Sequence, residues 1–330
     1  MTWNEIGVGI GASSALDFCA QITEAEEFGI PTAWATIGGA GGGDPLTALG
    51  AALSQTKQIA GGTAIIPTWP RHPLAIAQQT VALEELTPGR LRLGLGPSHK
   101  PMMTRSIGAQ WHKPLTHLRE YLTSLKTLFA NGTVDFEGEQ VTLRTSIKSP
   151  INVEILASAL RQKSFSLCGE LTDGAISWMC PKTYLIEQAL PALNRGAESA
   201  NRDKRIPLIA HVPIAVSNDR SVARHLAQEQ LARYSEIPFY QAMFQEAGFE
   251  IAGNPYPDEL LDDLVISGTE DEVAEKLVSY ISEGCGEVLA APLINDADRA
   301  SSITESFSAM VTLVKPLSCL CESLCNILGF

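Results

Sequence analysis

Eight short apolar runs, each followed by a stretch with helical spacing, punctuate this 330-residue chain. That alternation limits the fold more than any single motif does. The runs are EIGVGI (5–10), TAWAT (32–36), QIAGGTAII (58–66), RLRLGLG (90–96), INVEILA (151–157), GAISWM (174–179), PLIAHVPIAV (207–216) and GEVLAAP (286–292). They are apolar nearly throughout, the pattern of strands buried on both faces. Strands alternating with helices build a parallel sheet. Eight such units predict an α/β chain folded as a (β/α)8 TIM barrel, with a doubly wound open sheet as the alternative. Local signals agree. Ser13 and Ser14 can cap a first helix that Gly29 stops, and Asp44-Pro45 has the form of an N-cap followed by a first-turn proline. Two insertions stand out: a hairpin pattern at 134–144 after the fourth helix, and a Pro/Gly-rich loop at 249–267 before the eighth strand. Neither has the composition of a linker, so 1–330 reads as a single domain. Leu317, Leu320, Leu324 and Leu328 give 316–330 the spacing of a helical tail.

Residues 36–46, TIGGAGGGDPL, carry five glycines in eleven positions. The dinucleotide fingerprint fails here, because the frame from Gly39 and Gly41 meets Asp44 and the frame from Gly38 meets Ala40. No lysine is near enough for a phosphate-binding P-loop. In a barrel this stretch joins the second strand to the second helix and lies at the catalytic end. It reads as a pliable lip over a ligand, with Asp44 as an N-cap rather than a base.

Charge and composition narrow the class. A net charge of -13 argues against a nucleic-acid surface. No run of apolar residues is long enough to span a membrane, and the N-terminus lacks a basic region ahead of an apolar run. Seven scattered cysteines suit reduced thiols, which points to the cytoplasm. Cys319, Cys321 and Cys325 have no second ligand cluster at metal-binding spacing, so no metal is expected.

Segments at the predicted barrel mouth carry a family resemblance. IIPTWPRHPLAIAQQ (65–79), GLGPSHKPMM (94–103), KPLTHLREYL (113–122) and SWM (177–179) together resemble the luciferase-like monooxygenase superfamily. They are most similar to its branch of deazaflavin (coenzyme F420) dependent oxidoreductases. The resemblance covers essentially 5–300 and is most specific from the third strand to the fourth helix.

The resemblance implies a flavin-type ring at the mouth, backed by a non-prolyl cis peptide in a bulge near Ala64-Ile65, with Pro67 beside it. It implies that Gly96, Pro97, Ser98 and His99 line the ring and substrate side. His99 stands where a glucose-6-phosphate dehydrogenase branch carries a proton-donating acid; it can donate a proton, contact a ligand, or do neither. The cofactor phosphate would meet Ala157, Ser158, Ala159, Leu160 and Arg161. There Arg161-Gln162 replaces the Gly-Pro of the family, and Arg161 either adds charge to the site or is a solvated surface residue. Trp34, Trp69, Trp111 and Trp178 are candidates for a ring or substrate wall as well as for core; Trp178 is assigned to the cofactor site. His72 reads as structural or ring-adjacent rather than catalytic, and His117 as helix packing. Several relatives carry an acid–His pair after the second strand, where this chain has Thr36-Ile37-Gly38. That departure favours reduction of a small organic substrate over alcohol oxidation. The alternative is an FMN-dependent monooxygenase supplied by a separate reductase. A homodimer is common in the superfamily.

Overall fold

A computed structural model describes residues 5–36, 43–202, 205–251 and 255–312. The glycine run from 37 to 42 and the tail with its three cysteines, and so the readings placed on them, lie outside the described residues.

The predicted barrel is present. In chain order the strands are β1 (Glu5–Ile10), β2 (Thr32–Ala35), β3 (Ala60–Thr63), β4 (Ile66–Pro67), β5 (Leu91–Gly96), β6 (Thr133–Glu137), β7 (Thr142–Ser146), β8 (Glu154–Ser158), β9 (Gly174–Ile176), β10 (Leu208–Val216), β11 (Ile266–Gly268) and β12 (Glu287–Pro292). Parallel pairing runs β1-β2-β3-β5-β8-β9-β10-β12, and β12 returns to β1, closing eight strands. The open-sheet alternative is therefore excluded. The antiparallel pair β6–β7 is the predicted hairpin, with Val134 opposite Thr145 and Phe136 opposite Leu143.

Helix ends follow the sequence signals. Ser14 accepts from the Asp17 N–H, and Gly29 closes the same helix at φ 83°, where a side chain would be strained. Asp44 accepts from the Thr47 N–H at 2.8 Å ahead of Pro45, as an N-cap does. The 249–267 loop is not structureless: it holds a helix at Asp258–Leu264 and the strand β11. β9 pairs only with Leu208 and Ile209 of β10, which leaves the far end of β10 to pair with β11 at Ile214–Val216. Sequence pattern misses this element because three residues carry no readable period. A further helix that no sequence signal marked, Lys100–Ile107, follows β5.

Period-two alternation fills the barrel in layers. Glu287 and Arg92 point inward at the N-terminal end. Arg92 bonds Glu287 at 2.7 Å and Glu154 at 2.9 Å, and lies over the Trp34 ring at 4.7 Å. Burial pushes the Glu287 carboxyl up to about 7 while Arg92 pulls it back, and the two carboxylates hold the guanidinium charged. Above this layer Trp34, Leu156, Ile176, Ile209 and Leu289 form an apolar plug against which Ala64 and Ile65 pack. Trp34 is fully buried in that plug and walls no cleft.

The expected single strand at 58–66 is broken. β3 pairs Gly61 with Leu91, whereas β4 pairs Ile66 with Leu95, so one extra residue is inserted between them. That is a bulge. The Ala64–Ile65 peptide inside it is cis, where the resemblance put it.

Candidate functional site

A cleft of about 1930 Å³ opens at the C-terminal ends of the strands. All eight barrel strands or the loops that follow them contribute: Gly9 and Gly11, Thr36, Ala64 and Ile65, Pro97 to His99, Ser158 to Ser164, Ile176 to Trp178, His211, and Ala291 to Asn295. Thr36 and Gly43, the described ends of the glycine-rich stretch, both line it.

The sequence-assigned residues converge here with two exceptions. Ala64, Ile65, Pro67, Pro97, Ser98, His99, Ser158, Ala159, Leu160, Arg161 and Trp178 line the cleft. Gly96 and Ala157 are buried behind its wall. A Cβ on Gly96 would lie 2.1 Å from Ser158 Oγ, so glycine lets β5 and β8 approach closely just below the site. The Gly96 carbonyl also accepts from the Thr68 N–H at 2.9 Å, which ties the bulge's outgoing chain to β5.

His99 precedes the helix Lys100–Ile107 but caps nothing with its side chain. Instead its ring meets Tyr240 at 5.6 Å and Tyr234 at 5.9 Å. Burial lowers its pKa, and the nearby Arg233 lowers it further. His99 is therefore a neutral imidazole at neutral pH, able to donate one N–H and accept at the other nitrogen. Ser98 beside it has φ 61°, a left-handed backbone that turns the loop toward the cleft.

The β8 loop differs from its reading. Ser164 Oγ takes the backbone N–H groups of Leu160 and Arg161, each at 3.1 Å. Those two donors are not free for an anion. The Arg161 side chain is ion-paired with Glu246, which also accepts from the Tyr184 hydroxyl at 3.3 Å. Arg161 is thus neither a plain solvated residue nor an unopposed cation; both members of the pair line the cleft.

Asp44 is the predicted N-cap and pairs with Arg71 at 2.7 Å. His72 caps its own helix, accepting from the Leu74 N–H at 3.2 Å, and its other nitrogen meets the Thr142 carbonyl at 3.0 Å. His117 is buried, bonded to Thr68 Oγ1 at 3.0 Å and stacked on Trp69 at 4.0 Å. Burial pushes its pKa down to about 4. Both side chains are bonded to neighbouring elements of the scaffold. Trp111 lines the cleft and leans on Trp69 at 5.3 Å.

Sequence reasoning missed His211, Arg233, Tyr234, Tyr240 and Glu246. His211 had a signal, a lone ionisable residue inside an apolar strand. The others sit on helices after β10 and have no pattern that separates cleft from core. Among the described residues no group of His, Cys, Asp or Glu could hold a metal ion, and no helix is long and apolar enough to cross a membrane.

This barrel, with its bulged third strand and a cleft fed by every strand end, defines an α/β-barrel protein with a ligand site at the strand C-termini. The luciferase-like monooxygenase family pattern matches residues 1–286, and the chain belongs to that family. An F420-dependent glucose-6-phosphate dehydrogenase of Nakamurella multipartita is 27% identical over 257 residues, covering 72% of each chain. Among solved structures, an F420-dependent secondary alcohol dehydrogenase in complex with an F420-acetone adduct superposes with a TM-score of 0.77 at 17% identity, covering 94% of this chain and 98% of that one. The FMN-bound oxygenating constituent of 3,6-diketocamphane monooxygenase from Pseudomonas putida gives 0.70 at 17% identity, covering 92% and 96%.

Proposed function

We propose that this protein is an F420-dependent oxidoreductase acting on a small organic substrate, and that it works as a reductase. The observation that carries the reading is the pair of unlike walls in the cleft. Ala64, Ile65 and Pro67 make one wall, apolar and backed by the barrel plug. Four strands around the closed barrel, β10 and its neighbour β9 present Trp178 and His211 on the other. A planar ring would lie against the first wall, with the substrate between it and the second.

F420, when bound, supplies the hydride chemistry. The chain's own residues orient and shield. Ala64 and Ile65 would back the ring, and Pro97 and Ser98 would border it. His99, held neutral by burial, would give a hydrogen bond to substrate oxygen and hold the proton that follows hydride transfer. Ser158, Ala159 and Arg161, with Lys163 beside them in the cleft, would meet the cofactor phosphate. The relative from Nakamurella multipartita, named as F420-dependent, supports the cofactor choice.

The FMN-bound neighbour supports a second reading, an FMN-dependent monooxygenase supplied by a separate reductase. Fluorescence titration with coenzyme F420 and, separately, with FMN decides between them. Tight binding of F420 alone is expected; preference for FMN overturns the proposal in favour of oxygen chemistry.

A further inference from the structure

Two buried side-chain nitrogens at the top of the barrel lack any hydrogen-bond partner, Trp178 Nε1 and His211 Nε2. Their rings touch, with centroids 4.1 Å apart. Both residues line the cleft, and His211 is only 7% exposed. Buried polar groups are nearly always satisfied, and leaving one unmet costs about 1–3 kcal/mol. Two in contact, at a ligand cleft, call for a shared partner that the chain does not supply. Trp69 Nε1 is also without a partner, but Trp69 does not line the cleft and does not share this argument.

Position explains why these two residues stand together. On β10 His211 follows Ile209 by two residues, so it points into the barrel one layer above the plug. Trp178 follows Ile176 in the same way at the end of β9. The two adjacent strands therefore bring both rings to one spot, facing the Ala64–Ile65 wall.

We infer that Trp178 and His211 form a hydrogen-bonding station for a neutral carbonyl oxygen of a bound ligand. An indole N–H only donates, so the ligand atom must accept. Burial holds His211 neutral, with its pKa pushed down to about 3, so the second contact is also from an uncharged ring. No cation faces these rings in a described ion pair or ring contact. A carboxylate or phosphate would lose its hydration there without a compensating charge, whereas a ketone, enone or amide oxygen loses little.

The inference rests on the proposed function only for which ligand carries the carbonyl. The cofactor ring and the substrate are the two sources. The test uses the full chain with 15N-labelled tryptophan and histidine, the signals assigned with Trp178→Phe and His211→Phe. Coenzyme F420 is added first, then 2-cyclohexen-1-one, and in a parallel sample cyclohexene, which lacks the oxygen. A downfield shift of the Trp178 indole N–H with a change at the His211 ring nitrogens is expected. A shift with F420 alone assigns the station to the cofactor carbonyl; a shift only with the enone assigns it to the substrate. His211→Phe should weaken binding of the responsible ligand about ten-fold while the free protein folds as before. Signals unmoved by F420 and by the enone, or moved on adding cyclohexene as far as on adding the enone, overturn the inference. So does unchanged affinity in His211→Phe. If the enone moves the signals and F420 never binds, the station stands and the F420 reading fails; F420 binding without any shift does the reverse.

Discussion

The hydroxyl of Thr63 does the work of a backbone unit for Gly94. It accepts from the Gly94 N–H at 2.9 Å and donates to the Gly94 carbonyl at 2.8 Å. Just here the ladder between the third and fourth barrel strands slips by one residue, and the side chain bridges the gap. Gly94 must be glycine for this, because a Cβ would lie 1.9 Å from the Thr63 carbonyl oxygen. The wall proposed to back the ring is thus anchored one residue before the bulge.

Thr63→Val keeps the shape and removes the hydroxyl. Both Gly94 groups are then buried without partners, so a loss of about 2–4 kcal/mol is expected. Thr63→Ser should retain most of the stability. Urea unfolding of the three proteins checks this; equal midpoints for valine and threonine would show that the bridge carries no weight.

Glu246→Gln frees Arg161 from its ion pair. If Arg161 faces the cofactor phosphate, affinity for F420 should rise a few-fold and become more salt-sensitive. The readout is a titration at two ionic strengths. An unchanged dissociation constant would move the phosphate away from the β8 loop.

His99→Ala should slow turnover more than it weakens cofactor binding if the imidazole, which packs against Tyr234 and Tyr240, meets the substrate as proposed. His99→Gln, which keeps a donor, should recover part of the rate if a hydrogen bond is what matters. Equal losses in rate and cofactor affinity would make His99 a cofactor contact.

His117 contributes an acid-sensitive part of the stability. Its folded pKa, about 4, lies below the ordinary value of 6.5. At this residue the unfolded chain therefore binds more protons, and the His117 contribution to stability falls as pH drops below 6.5. The full contribution is present above 6.5, and about 2 kcal/mol is lost by pH 5. This window lies above that of the carboxylates whose pKa values are lowered, such as Asp44. Thermal unfolding at pH 7 and pH 5 should show a smaller difference in His117→Gln than in the parent protein.

The sequence by itself limited the fold to a parallel α/β sheet with helices on its faces, and the return of β12 to β1 decided that it closes. Eight apolar runs with helices between them can bury both strand faces only in a closed or doubly covered parallel sheet, and caps such as Ser14 and Asp44 act within a few residues of themselves. The loops at the mouth were legible too, because Pro97-Ser98-His99 and the 65–79 segment are local strings that resemble a family. Tertiary structure alone decided what those strings face. Arg161 read either as a charge for the site or as a solvated residue, and Glu246, 85 positions away, makes it neither by pairing with it. Gly96 and Ala157 read as site residues, but strand pleat and close packing put them behind the wall. Trp178 and His211 meet only because β9 and β10 are neighbours at that height. Local propensity acts over a few residues, whereas pairing, burial and unmet hydrogen bonds depend on chain segments far apart in sequence.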